Sequence, residues 1–177
     1  MSLTIKKSSR YNLSQKGGIF LKNPLSKKGT LNMVEVNFYE QVEDSLLKFA
    51  VILAKTDGKW VFCKHRERDT YEFPGGHREP GETILETAAR ELQEETGAVD
   101  FTLKPVCAYS VKGKTQVNKS EDDESFGMLF AADITSFEKE LHSEIEKILI
   151  TDTPVENWTY PLIQPRLFEE AEKRGFA

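Results

Sequence analysis

Three glutamates, Glu91, Glu94 and Glu95, stand at i, i+3 and i+4, a spacing that puts side chains on one face of a helix within a single turn. Like charges at that spacing cost an isolated helix about a few tenths of a kcal/mol per pair. A bound divalent cation would reverse the sign of that term. Oxygen-only ligands suit Mg²⁺, with Mn²⁺ as a substitute, whereas zinc prefers Cys and His. Mg²⁺ takes few carboxylates and completes its shell with water and phosphate oxygens, so the cluster implies a phosphate-bearing ligand. Arg90 lies four residues after Glu86 and four before Glu94, in reach of both, and a bidentate guanidinium contact there would orient a carboxylate.

Upstream, Pro74-Gly75-Gly76 forms a turn whose backbone can approach an ion closely, so a glycine carbonyl is a further candidate ligand. Glu82 precedes the helix, where the macrodipole favours negative charge, and a capping role is its simplest one. Lys64, Arg66 and Arg68 are candidates to grip phosphate. Tyr71 and Trp158 carry polar handles that suit a pocket rim. Among acids outside the cluster, Glu121, Glu124, Glu144 and Glu146 could each add a ligand or base, Glu124 and Glu144 foremost. The run Glu121-Asp122-Asp123-Glu124 otherwise reads as a solvated loop, and His65, His77 and His142 have no metal-ligand spacing.

The elements that must position these groups follow from pattern. Leu85, Ala88, Ala89 and Leu92 recur at three- and four-residue steps, predicting an amphipathic helix over 83–96 closed by Gly97. Two β-rich runs around Asp57-Gly58 predict a hairpin with strands at 48–54 and 60–65. Tyr71-Glu72-Phe73 reads as a short third strand broken by Pro74-Gly75-Gly76. Strands at 102–111 and 126–134 flank a polar loop, 112–125. Ser136 is placed to cap a helix with Phe137, Leu141 and Ile145 inward, and Pro165 to start a last helix carrying Leu167, Phe168 and Ala171. Strands and helices without strict alternation predict an α+β chain, a mixed sheet covered by helices.

The 177 residues suffice for one good-sized domain. Residues 1–33 are Lys-, Ser- and Gly-rich and read as a basic, flexible tail, with the domain over 34–177. Seven Lys or Arg and no acid fall within residues 1–34, which leaves a balance of −12 over 35–177 against −5 for the whole chain. A body that acidic repels phosphate on average and needs a metal ion or local basic patch to hold it. This disfavours a stable nucleic-acid partner. No apolar run reaches the ~18 residues of a membrane span. Cys63 and Cys107 fall in apolar strands and read as buried free thiols, consistent with a cytoplasmic location; a monomer or homodimer is expected.

The stretch Gly76 to Ala98, with Gly76, Glu82, Arg90, Glu91, Leu92, Glu94, Glu95 and Gly97 at their spacing, resembles the Nudix box: a glycine, five residues, Glu, seven residues, then Arg-Glu-aliphatic-x-Glu-Glu-x-Gly-aliphatic. Only the last place departs, Ala98 standing for a bulky aliphatic residue, with Val99 expected to do the packing instead. The resemblance implies a Nudix-type α/β/α sandwich with a mixed β-sheet, holding Mg²⁺ in a loop-helix-loop and hydrolysing a nucleoside diphosphate linked to another group. By position it implies Gly75, Glu91, Glu94 and Glu95 as metal ligands, Glu91, Glu94 and Arg90 as the catalytic group, and Glu91 as a candidate base. Lys64, Arg66 and Tyr71 are the expected substrate contacts. The MutT-like compactness implies a nucleoside triphosphate, including an oxidised one, cut to monophosphate and pyrophosphate. ADP-ribose, nucleotide sugars, dinucleoside polyphosphates, RNA 5′ ends and a non-catalytic nucleotide sensor are the alternatives.

Overall fold

The computed structural model describes residues 19–22, 33–138 and 144–176. Asp57 and Gly58 both take positive φ, 49° and 76°, the primed turn whose twist matches two flanking strands. They join β3 (Leu47–Thr56) to β4 (Lys59–His65), as the sequence predicts. Around this hairpin an eight-stranded mixed sheet forms from β1 (Ile19–Lys22), β2 (Met33–Tyr39), β3, β4, β5 (Gly75–His77), β6 (Ala98–Lys112), β7 (Glu124–Phe137) and β8 (Ile145–Thr151). The strand order is β1-β2-β6-β7-β3-β4-β8, with β5 pairing β3. Among these described strands only β3 and β7 pair in parallel; the remaining pairs are antiparallel. Within the stretch set apart as a tail, Ile19–Lys22 pairs with Met33–Val36.

One edge of β3 is shared. Its end at Ala54–Thr56 pairs with β4, while Phe49–Val51 pairs with β5, so the sheet parts between the end of β4 and the glycine turn.

Each face carries a helix, the three-layer arrangement expected. The helix α1 (Ile84–Thr96) buries Ala88 and Leu92 against Ala50, Ile52 and Ala54. On the other face α2 (Gln164–Lys173) buries Leu167 and Ala171 against Leu53, Phe62, Phe73 and Leu129. Full burial of a Leu side chain contributes about 1.5–3 kcal/mol, and truncating Leu92 would cost about 2–5 kcal/mol once the cavity is counted. Both ends of α1 are fixed by their own residues. Thr83 Oγ1 accepts the Glu86 N–H at 3.2 Å while the Glu86 carboxylate accepts the Thr83 N–H at 2.7 Å, a capping box. Gly97, at φ 72°, closes the helix in the left-handed region. Pro165 opens α2 as expected.

Three expectations fail. No helix starts at Ser136: β7 continues through Phe137, pairing with Ala98, and Ile145 begins β8, which takes the free edge of β4; Leu141 lies outside the described residues. The third strand is not Tyr71–Phe73, whose first two residues make isolated bridges to Trp158 and Cys63, but Gly75–His77. A Cβ at Gly75 would lie 2.4 Å from the Ala50 carbonyl oxygen, so the glycine that looks like a breaker permits the pairing. Finally, Ala98 does the packing at 2% exposure while Val99 is 48% exposed.

Candidate active site

The capping box frees Glu82 from capping, and it turns to Arg90 instead. The Arg90 Nε donates to Glu82 Oε1 at 2.7 Å, Nη1 to Glu91 Oε1 at 2.8 Å and to Glu94 Oε2 at 3.1 Å, and Nη2 to the His77 carbonyl at 3.0 Å. One planar fork thus ties the glycine strand, the entry loop and two carboxylates of α1. The Arg90 bond, with the Glu79 backbone N–H, holds Glu82 down at about 2. Glu86 is not among Arg90's partners; it is spent on the cap.

The acids of α1 divide by depth. Glu94 is half exposed and is not among the residues lining the cavity described below, whereas Glu91 and Glu95 turn inward. Glu91 lies against Gly76, where a Cβ would stand 2.1 Å from Glu91 Oε1, so the carboxylate occupies the space a side chain would fill. Burial raises its pKa against the pull of Arg90. Glu95, 9% exposed, accepts the Gly75 N–H at 2.9 Å. Burial pushes it up to about 8, opposed by the Gly75 bond and reinforced by the nearby negative charges of Glu91, Glu72 and Glu144. Two inward carboxylates whose charged forms burial disfavours, sharing between them one guanidinium nitrogen on Glu91 and one amide on Glu95, favour a further cation.

Among the described residues no three His, Cys, Asp or Glu side chains stand together as a ready-made metal cage. Mg²⁺ does not need one, because it is typically held by one or two carboxylates plus substrate phosphates. A carboxylate pressed into a glycine cradle beside a second, buried one fits that habit.

Glu91, Glu95, Gly75 and Gly76 line one end of a cavity of about 620 Å³, within the range of small-ligand sites. It opens where the sheet parts. Of the expected substrate contacts, Arg66 lines it, as does Arg68. Lys64 does not: it is held by Glu146, with Asp69 at 3.6 Å. Tyr71 packs against the core beside Trp158. Of the outside acids, Glu144 lines the cavity, 3.3 Å from His65 Nε2. Glu124 accepts from Ser110 at 2.6 Å, and it is the adjacent Ser125 that lines the cavity, since neighbouring strand residues point to opposite faces.

Pattern reading passed over Glu72, Tyr160, Phe49 and Tyr109, all in the lining. Glu72 is 8% exposed and both its oxygens lie 3.3 Å from Arg68 Nη1; burial raises its pKa against that pairing. The available signal was alternation, since Phe49 and Val51 share a face of β3, as Tyr109 and Val111 do of β6.

Comparison with known proteins agrees with this geometry. The NUDIX domain family matches residues 45–169. The chain is 37% identical over 109 residues to Bacillus subtilis (strain 168) YtkD, named for 8-oxo-dGTP diphosphatase activity, across 62% of this chain and 64% of that one. It is 43% identical over 47 residues to an RNA pyrophosphohydrolase of Psychrobacter sp. (strain PRwf-1), across 27% of each. The chain therefore spans less than two thirds of the length of these relatives. In structure it is similar to the Bacillus subtilis pyrophosphohydrolase BsRppH, solved as a variant, with a TM-score of 0.68 and 26% identity over 89% of this chain and 98% of that one. A NUDIX hydrolase from Nitrosomonas europaea shares the fold, with a TM-score of 0.58 and 20% identity over 73% of this chain and 90% of that one. With the family model matched over residues 45–169 and the sandwich in place, the chain belongs to the NUDIX family and folds as the family's solved hydrolases do.

Proposed function

We propose that residues 34–177 form a Mg²⁺-dependent pyrophosphohydrolase that cleaves a nucleoside 5′-triphosphate, including an oxidised one, to monophosphate and pyrophosphate. The observation that carries this reading is a cavity of about 620 Å³ lined by the inward Glu91 and Glu95, by Arg66 and Arg68 and by aromatic rings. Such a cavity suits a ligand with an anionic end and a flat end.

In this reading Glu91, Glu94 and Glu95 hold the metal with the Gly75 backbone, and Arg90 fixes the carboxylates' directions. When bound, Mg²⁺ would supply Lewis acidity towards water and the bridging phosphate oxygens. Water adds to the α-phosphorus, the bond to the bridging oxygen breaks, and pyrophosphate leaves. Glu91, whose pKa is raised by burial, is the candidate to accept the water's proton. Arg66, which makes no ion pair with another described residue, is assigned to the phosphate chain, and positioning supplies much of the rate. Two free buried thiols, Cys63 and Cys107, support a reducing, cytoplasmic setting.

A second reading, removal of pyrophosphate from an RNA 5′-triphosphate, is favoured by the 43% identity over 47 residues to the RNA pyrophosphohydrolase of Psychrobacter sp. (strain PRwf-1). Both readings share the triphosphate end. The test is to incubate the protein with Mg²⁺ and either nucleoside triphosphates or 5′-triphosphorylated RNA, separating pyrophosphate from orthophosphate. We expect pyrophosphate, and a fall of at least ~100-fold in turnover for Glu94→Gln, since several kcal/mol of charge stabilisation rest on the metal. A fully active Glu94→Gln protein would overturn the ligand assignment, and orthophosphate as first product would overturn the reaction.

A further inference from the structure

Away from the carboxylates the cavity is walled by rings. The Phe49 ring centroid lies 5.9 Å from that of Tyr109 and 5.9 Å from that of His77, which stands beside the glycine turn. Gly127 makes room for this arrangement: a Cβ there would lie 2.5 Å from the Phe49 ring and 2.7 Å from Tyr109 Cζ. Val111 and the partly exposed Val117 continue the wall.

Much of the hydrogen-bonding capacity of this far wall is already committed. Asn118, 3% exposed, donates from Nδ2 to the Val111 carbonyl at 2.8 Å and the Asp123 carbonyl at 3.1 Å, while its Oδ1 accepts the Ser125 hydroxyl. Thr115 Oγ1 accepts the N–H groups of Val117 at 3.1 Å and Asn118 at 3.0 Å, which fills its two acceptor positions and leaves its hydroxyl proton to donate. The Tyr109 hydroxyl, on a residue only 1% exposed that lines the cavity, has no hydrogen-bond partner among the described residues. Burial pushes this phenol well above its ordinary range, so it remains a neutral donor.

We infer that this half of the cavity is a base-tolerant stacking slot: Phe49, seated over Gly127, takes the face of a substrate's planar ring, and the Tyr109 hydroxyl donates a hydrogen bond to it. The inference rests on the nucleotide hydrolase reading and names what that site selects. Stacking accepts every base, because each has a π face. A pocket that reads a base edge through dedicated hydrogen bonds rejects the wrong one by roughly 10⁴-fold; with Asn118 and Ser125 bonded to each other, this wall offers the single hydroxyls of Tyr109 and Thr115 in place of such a set.

The test compares kcat/KM for dATP, dGTP, dITP and 8-oxo-dGTP, with inorganic tripolyphosphate as a substrate that has no base. We expect the four nucleotides to fall within about tenfold of one another; a preference above about 100-fold for one purine would overturn the slot. Gly127→Ala, by displacing Phe49, should raise KM for all four nucleotides by about tenfold or more and leave tripolyphosphate unchanged. Should that variant fail to fold, Tyr109→Phe decides: a roughly fivefold rise in KM of similar size for every nucleotide is expected, and a rise for one base alone, or none at all, overturns the assignment. If the parent hydrolyses nothing, the hydrolase reading fails separately, and equilibrium binding of AMP and GMP still judges the slot by the same tenfold and 100-fold limits.

Discussion

Gly76→Ala isolates the position of one carboxylate from the stability of the fold. The added Cβ would stand 2.1 Å from Glu91 Oε1, 2.3 Å from its Cδ and 2.6 Å from Oε2. An ordinary contact lies beyond about 3.4 Å, so the carboxylate must retreat by roughly 1 Å, a displacement that can cost about 100-fold in rate when it disturbs reacting geometry. The obstacle is the end of a flexible side chain, and Gly76 does not need a left-handed backbone, since its φ is not among the positive ones. The stability cost should therefore stay below about 1 kcal/mol, a Tm shift of at most about 4 °C for a chain of this size. Steady-state pyrophosphate release over a Mg²⁺ titration, beside thermal melts, reads both quantities. We expect kcat to fall by about 100-fold and the Mg²⁺ requirement to rise. A kcat within about threefold of the parent would refute the reasoning, and so would a Tm loss above about 8 °C, because the damage would then lie in the fold.

Four further outcomes are expected. Arg90→Lys cannot span Glu82, Glu91, Glu94 and the His77 carbonyl with one ammonium, so kcat/KM should drop by at least about tenfold, checked by the same kinetics. Thr83→Ala breaks the capping box and should cost about 1 kcal/mol in urea unfolding with turnover nearly intact. Gly97→Ala places a side chain at φ 72° and should cost about 1–2 kcal/mol in the same assay. Cys107 is raised by burial from 9.0 to about 11, so the folded state holds a proton that the unfolded state releases. Its contribution to stability should therefore decline between about pH 9 and 11, and urea melts of the parent should lose more stability across that window than those of Cys107→Ala.

What the sequence reveals is what short stretches of chain decide. The helix α1 was legible because Leu85, Ala88, Ala89 and Leu92 mark one face and Gly97 sets its end, although the Thr83–Glu86 cap was passed over in favour of Glu82, and the β3–β4 hairpin because Asp57 and Gly58 set its turn. The Nudix resemblance gave the sandwich and the acids of α1. The strand β8 was not legible: Ile145 fits a helical spacing from Phe137 and Leu141, and only the unpaired edge of β4, about 85 residues earlier, makes it a strand. Gly75 and Gly76 read as a break for a similar reason, because the close approach of Ala50 and Glu91 that requires glycine comes from elements distant in sequence. The division between Arg66 and Lys64 depends on Glu146 being in place to capture the lysine, and the Phe49–Tyr109 wall on two strands that meet only through β7.

The shared edge of β3 also sets where this molecule can give way. Between the tip of β4 and the glycine strand there is no ladder to unzip; the seam is crossed by the paired amides of Cys63 and Glu72, at 2.8 and 3.0 Å, by the Cys63 thiol donating to the Glu95 carbonyl and by the Phe62–Phe73 ring contact at 4.7 Å. Releasing two such amide bonds costs about 1–3 kcal/mol net, far less than stripping β6 from β7. Amide exchange should accordingly be fastest at this seam among the sheet's inner strands, and a bulky ligand would gain entry by prying these two lips apart while the rest of the sheet stays zipped.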